Sequence, residues 1–137
     1  MDDVVVNKLS TIQRCLKRIL EVHQQAGDGF STDYTRQDSV MLNLQRACEA
    51  TIDVANYLVK KNALGIPQSA RDSFQLLFVS GILSEQVSVN MKKIIGLRNI
   101  AVHDYQELSL AIVEAVIIKH LTDFEGFIEE IKRFINP

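Results

Sequence analysis

Proline and glycine are scarce in this chain, and their scarcity argues against a fold built from many short strands. The 137 residues include only two prolines, Pro67 and Pro137, and six glycines. Folds of many short strands carry clusters of Gly and Pro at the turns between strands, and such clusters are missing from this sequence. The sequence therefore predicts a chain that is nearly all helix.

Cysteine is equally rare. Cys15 and Cys48 lie far apart in the sequence and match no Cys-x-x-Cys or Cys/His ligand spacing, which argues against both a disulfide framework and a metal site. We expect two buried thiols in a reducing compartment, and we expect neither a metal nor a cofactor.

Long apolar runs and a strong excess of one charge are missing too. No apolar run approaches the ~20 residues of a membrane-spanning helix, and the N-terminal Met1-Asp2-Asp3 is acidic where a secretory signal would be basic. The net charge of −2 argues against a protein that coats nucleic acid through bulk electrostatics. We expect a cytoplasmic protein with no membrane association, in which a local patch holds any RNA.

Apolar residues recur at steps of three and four along most of the chain, as amphipathic helices require. The length suits one domain, residues 1–137. Five helices joined by short connections predict an all-α antiparallel bundle. One apolar stripe begins at Val5, on a first helix that ends near Gly27, and a second begins at Val40, on a helix that stops before Gly65. A short third helix starts at Ser69, a fourth runs from Ser84 toward His103, and a last carries the stripe from Leu110 to Ile135.

The segment Arg98-Asn99-Ile100-Ala101-Val102-His103-Asp104-Tyr105 is the strongest candidate site. Histidine transfers protons near neutral pH, and arginine holds phosphate through a planar fork of donors, so these side chains suit phosphodiester chemistry. The sequence contains no phosphate-binding loop, His-Glu-x-x-His motif or nucleophile elbow that would offer another catalytic set.

Helical spacing restricts how this segment can act. Residues five apart, such as Arg98 and His103, differ by about 140° in direction and about 7.5 Å along the axis. Asn99 and His103, four apart, share a face, so Asn99 can support the imidazole. Pairing with a second copy across a two-fold axis would bring these groups together. Lys92 and Lys93 lie within two turns of Arg98 and are the candidate RNA contacts.

Written as Arg-x4-His-x-Tyr, the segment resembles the signature of the HEPN superfamily, and specifically of its HepT branch, the toxin half of the HepT/MNT toxin–antitoxin pairs. The resemblance spans roughly residues 4 to 135. Besides the signature it rests on the segments Gln37–Val40, Asn43–Ala50, Ile52-Asp53, Gly65-Ile66-Pro67, Asp72–Phe74, Leu76-Leu77 and Gly81-Ile82.

This resemblance implies a HEPN-like bundle that forms a two-fold dimer with a composite active site at the interface. It implies a toxin that cleaves RNA without a metal, with Arg98 and His103 as catalytic residues. It further implies an antitoxin partner, an MNT-type nucleotidyltransferase that adenylylates Tyr105, and a possible larger hetero-oligomer with it. His103 would activate the ribose 2′-hydroxyl while Arg98 stabilises the phosphoryl charge, leaving a 2′,3′-cyclic phosphate.

Other interpretations stay open at this point. Arg98 can form a structural salt bridge, His103 can cap a helix, and Tyr105 can be a half-buried aromatic residue. His23 is expected to pack on the first helix, and His120 is expected to be structural because no acidic or cysteine partner stands at ligand spacing. At the level of the whole protein, the alternatives are a non-catalytic module that docks a nucleotidyltransferase and a bundle that binds a nucleotide without breaking a bond.

Overall fold

The computed structural model describes residues 2–103 and 110–137, including the side chains of all of these except residues 100–103. Within these ranges the chain forms helices and no strand, which confirms the prediction of an all-α bundle. The elements are α1 (Asp3–Ala26), a 3₁₀ turn (Gly27–Thr32), α2 (Tyr34–Lys61), α3 (Ala70–Val79), α4 (Glu85–His103), α5 (Leu110–Ala115), a π-helical turn (Val116–His120) and α6 (Leu121–Ile135).

Several helix ends lie where small polar residues and glycine predict, but α2 begins at Tyr34, six residues before the apolar stripe that starts at Val40. Gly27 takes a positive φ of 53° at the end of α1, a conformation that glycine adopts without steric cost. The Ser69 hydroxyl accepts a hydrogen bond from the Asp72 amide at 3.2 Å, and the Ser84 hydroxyl accepts one from the first turn of α4. The Asp72 carboxylate accepts from the amide of Gln68 at 2.8 Å, one residue before the position that a capping box uses.

The last helix departs from the sequence prediction, which treated residues 110–135 as one regular helix. A π-helical turn separates α5 from α6. Val113, Ile117 and Leu121 follow one another at steps of four and are all buried. The apolar stripe therefore stays buried across the π-helical turn.

The core is continuous through all the helices described, and its largest members are aromatic. Phe30, Phe74, Phe124 and Phe127 are at most 2% exposed, and each such burial contributes about 1.5–3 kcal/mol. Phe74 and Phe127 meet edge to face, with centroids 5.9 Å apart. Packing of α3 and α6 against α4, together with contacts from α2, encloses α4 on several sides. The helix that carries Arg98 therefore packs against three neighbouring helices.

Two further predictions concern membranes and thiols. None of the helices in residues 2–103 and 110–137 is both long and apolar enough to cross a membrane. Cys15 and Cys48 are both free and buried, as the sequence predicts.

Candidate active site

Arg98 projects from α4 toward α2, where it meets an acidic residue. Its Nη1 lies 3.3 Å from Oε1 of Glu49, and the two side chains are 22% and 45% exposed. The Nε of Arg98 is buried and has no hydrogen-bond partner among the described atoms. The guanidinium is therefore anchored at one nitrogen, and its donors are only partly satisfied.

Glu49 is the residue of this site that sequence reasoning missed. It lies on α2 between Cys48 and Ala50, which are 1% and 4% exposed, and a groove of about 380 Å³ between α1 and α2 borders it on the outer side. The sequence offers Arg46, three residues before Glu49, as a local cationic neighbour. Nothing in the local sequence shows that Arg98 on α4 is the partner instead, so this contact could not be predicted.

Cys48 lies beside this pair without sharing its chemistry. Burial, helped by the nearby Glu49 charge and opposed by the Arg98 charge, raises the pKa of its thiol to about 12. The thiol is therefore protonated at neutral pH and is a poor nucleophile. Its contribution is to packing under the Arg98–Glu49 ion pair.

The register of α4 separates Arg98 from the other motif residues. Asn99 is half-buried, and by helical spacing it shares a face with Gly96 and with the position of His103, the last described residue of the helix. The side chain of His103 and the whole of Tyr105 lie outside the described residues. Their roles stay predictions.

The two candidate RNA contacts differ in their surroundings. The ammonium of Lys92 donates a hydrogen bond to the Oε1 of Gln75 on α3, and Lys92 stands eleven positions before His103 on the same helical face. Lys93 is exposed but is turned by about 100° from that face. The structure therefore places Lys92, and not Lys93, in line with the motif.

The remaining two histidines both have acidic neighbours. His23 packs edge-on against Phe30 with centroids 4.9 Å apart, and its Nε2 lies 3.6 Å from Glu114, in keeping with the expected packed histidine. The Nδ1 of His120 lies 3.0 Å from Oδ2 of Asp123, so the expectation that His120 lacks an acidic partner is wrong. Asp123 stands three residues further along, where one helical turn brings it alongside.

Metal chemistry has no ready ligand set in the described part of the chain. No group of three or more His, Cys, Asp or Glu side chains there is arranged to hold a metal ion.

An all-α bundle whose fourth helix carries Arg98 and the His103 position, in a sequence that continues to Tyr105, is the arrangement expected of a HEPN-like helical protein. The chain belongs to the Ribonuclease HepT-like family, whose model matches residues 12–131. It is 57% identical over 134 residues to the mRNA nuclease HepT of Shewanella oneidensis, and the matched residues cover 96% of this chain and 98% of that protein.

Solved structures agree with this membership. The fold matches the tri-AMPylated Shewanella oneidensis HEPN toxin in complex with MNT antitoxin with a TM-score of 0.90 and 55% identity, over 97% of this chain and 99% of that one. A toxin–antitoxin structure with AMP-PNP matches with a TM-score of 0.89 and 55% identity, over 96% of this chain and 100% of the other.

Proposed function

We propose that this protein is the toxin of a toxin–antitoxin pair and that it cleaves RNA without a metal. The observation that carries the proposal is the near full-length similarity to the Shewanella oneidensis mRNA nuclease HepT, at 57% identity over 96% of this chain. The Arg-x4-His-x-Tyr segment is complete in this sequence, so the groups needed for phosphodiester cleavage are present. We expect it to act in the cytoplasm as a single domain, residues 1–137.

In the proposed mechanism, Arg98 and His103 divide the work. His103 removes the proton of the ribose 2′-hydroxyl, whose oxygen attacks the adjacent phosphorus. The bond from phosphorus to the 5′-oxygen of the next nucleotide breaks, and that oxygen takes a proton from water to become a 5′-hydroxyl. Arg98 stabilises the charge that builds on the phosphoryl oxygens. Its guanidinium carries five N–H donors, of which the ion pair with Glu49 engages one nitrogen, so donors remain for a phosphate.

The division between helix faces supports a composite site in a homodimer. Arg98 is directed at α2, whereas Asn99 and the His103 position lie on another face of α4. A second α4 across a two-fold axis supplies the complementary groups around one phosphate. Asn99 then supports the imidazole, and Lys92, which shares the face of the His103 position, contacts flanking RNA. Lys93 is exposed but lies off that face, so it is the weaker of the two candidate RNA contacts.

Control by an antitoxin follows from the same comparisons. Adenylylation of Tyr105 by an MNT-type nucleotidyltransferase would place bulky, anionic AMP groups two residues from His103, where they would block RNA and repel its backbone. The Shewanella oneidensis HEPN toxin, tri-AMPylated and in complex with MNT antitoxin, is the relative that supports this step. A larger hetero-oligomer of toxin and antitoxin is the expected resting form.

The test is RNA cleavage by unmodified protein in EDTA, with Arg98→Ala and His103→Ala as matched variants. We expect the wild type alone to cleave, to leave 2′,3′-cyclic phosphate ends, and to spare DNA of the same sequence because DNA lacks the attacking hydroxyl. Cleavage that persists in both variants would place the chemistry elsewhere. RNA that survives all three proteins, with the dimer intact and Tyr105 unmodified by mass measurement, would favour the non-catalytic module that docks a nucleotidyltransferase.

A further inference from the structure

The N-terminal end of α3 lies beside the motif-bearing end of α4. Lys92 on α4 contacts Gln75 on α3, and four residues further along α4 the Nη2 of Arg71 lies 3.2 Å from the point where a Cβ on Gly96 would stand. Going from Lys92 to Gly96 on α4 therefore corresponds to going from Gln75 back to Arg71 on α3. The two helices run antiparallel, and Arg71 lies on the side of α3 nearer to the motif.

Gly96 provides the space that Arg71 occupies. Glycine inside a helix is unfavourable, because it gains conformational freedom in the unfolded chain and contributes no side chain. Here the missing Cβ leaves the backbone of α4 open, and the guanidinium of Arg71 rests against it. A side chain at position 96 would crowd or displace that guanidinium.

The charge of Arg71 is not neutralised by a carboxylate among the described side chains. Most of the other arginines have one within ion-pair distance, as Arg98 does with Glu49, Arg36 with Asp33 and Arg133 with Glu129. Arg71 is also exposed. An exposed, unneutralised guanidinium beside a phosphate-directed motif can accept an anion without first breaking a salt bridge.

We infer that Arg71 is an RNA-binding residue that contacts a backbone phosphate next to the one that is cleaved. The inference rests on the proposed ribonuclease function. Gly96 and His103 are seven residues apart, so the two positions share a face of α4 and are separated by about 10.5 Å along its axis. This separation suits a flanking phosphate better than the reacting one, and the planar fork of arginine suits a phosphate through two parallel hydrogen bonds.

Binding of an RNA that cannot be cleaved tests this directly. With a 2′-O-methyl RNA, we expect Arg71→Ala to weaken binding about tenfold and to reduce the slope of log affinity against log salt by about 0.7, the value for one phosphate contact on a single strand. Arg71→Lys should restore most of the salt slope, since it keeps the charge. Arg133→Ala, which removes an arginine on α6, is the matched control and should bind like the wild type.

Cleavage kinetics give a second readout. Because the contact is remote from the reacting phosphate, Arg71→Ala should raise KM about tenfold and change kcat less than about twofold. Gly96→Leu keeps Arg71 in the sequence but fills the space that its guanidinium occupies. This variant should also weaken RNA binding.

The outcomes separate this inference from the proposed function. If the wild type binds the 2′-O-methyl RNA but cleaves no RNA, the ribonuclease proposal fails, while the Arg71 binding comparison still stands. If Arg71→Ala binds that RNA as the wild type does, with unchanged salt slope, the role of Arg71 is overturned. A weaker dimer in Arg71→Ala, measured by sedimentation, would overturn it as well by assigning the residue to the contact between subunits.

Discussion

Replacing Glu49 and replacing Arg98 should cost similar amounts of folding stability but very different amounts of RNA cleavage. Both substitutions break the same ion pair, in which Nη1 and Oε1 are 3.3 Å apart. Only Arg98→Ala also removes the group proposed to stabilise the transition state. The comparison therefore distinguishes a catalytic arginine from one that merely anchors α4 to α2.

The expected effect on folding stability follows from the geometry of the Arg98–Glu49 ion pair. Two unit charges at this distance attract by about 5 kcal/mol at an effective dielectric constant of about 20, and desolvation and solvent screening offset most of that. Exposed pairs contribute about 0.2–1 kcal/mol, while breaking a buried pair costs about 3–5 kcal/mol. Arg98 is 22% and Glu49 45% exposed, so we expect a coupling free energy of about 1 kcal/mol.

The losses of RNA cleavage should differ much more between the two positions than the losses of stability. Loss of a group that stabilises transition-state charge costs about 10²–10³ in rate, so Arg98→Ala should lose at least about 100-fold in kcat/KM. Glu49→Gln keeps the arginine and the shape of its partner. Because Arg98 is then held less firmly, kcat/KM should fall about fivefold, which corresponds to about 1 kcal/mol.

Two assays on the same proteins check this reasoning. Urea denaturation of the wild type, Arg98→Ala, Glu49→Ala and the double variant gives the coupling free energy, at one fixed protein concentration because the stability of a dimer depends on it. Cleavage of a fluorescent RNA gives kcat/KM. If Glu49→Gln loses as much activity as Arg98→Ala, Arg98 acts through structure alone. A coupling free energy below about 0.3 kcal/mol would show that the pair contributes little to folding stability, contrary to the value expected here.

Three further predictions test the fold and its titration. Cys48 should resist iodoacetamide at pH 8 in the native protein and react in urea, because burial raises its pKa to about 12; native labelling at the rate of a free thiol would contradict this. The Lys61 side chain lowers the pKa of Asp2 from 3.8 to about 2. The stability advantage of the wild type over Asp2→Asn should therefore be complete above pH 4 and should fall away toward pH 2, whereas a constant difference in urea denaturation would refute the pairing. Phe127→Ala should destabilise the protein by about 3–5 kcal/mol, since Phe127 is 0% exposed; a loss under about 1 kcal/mol by denaturation would show that the core repacks.

Sequence reasoning was most successful where the cause is local. Ser69 and Ser84 mark the starts of helices because their hydroxyls accept hydrogen bonds from amides of the first turn, and the partner is three residues away in each case. Gly27 marks the end of α1 for the same kind of reason. Interactions of this range depend on spacing alone.

Prediction was weaker where a local signal was overlooked or where a distant residue decides. Asp123 lies one helical turn from His120, so the local sequence already contained this acidic partner and the prediction overlooked it. The π-helical turn after Ala115 has no comparable local mark. It reflects how the stripe through Ile117 meets the core, which depends on the helices that pack against it.

By itself the sequence determined the helical class of the fold, several helix caps and the position of Arg98 on the fourth helix, because periodicity and capping act between residues a few positions apart. It also determined that Arg98 and the His103 position face different ways, since that follows from 3.6 residues per turn. Only the tertiary structure decided that Glu49 partners Arg98 and that Arg71 rests on Gly96. Those pairings depend on the register between helices, which the packing of whole apolar faces fixes and which no short-range spacing in the sequence records.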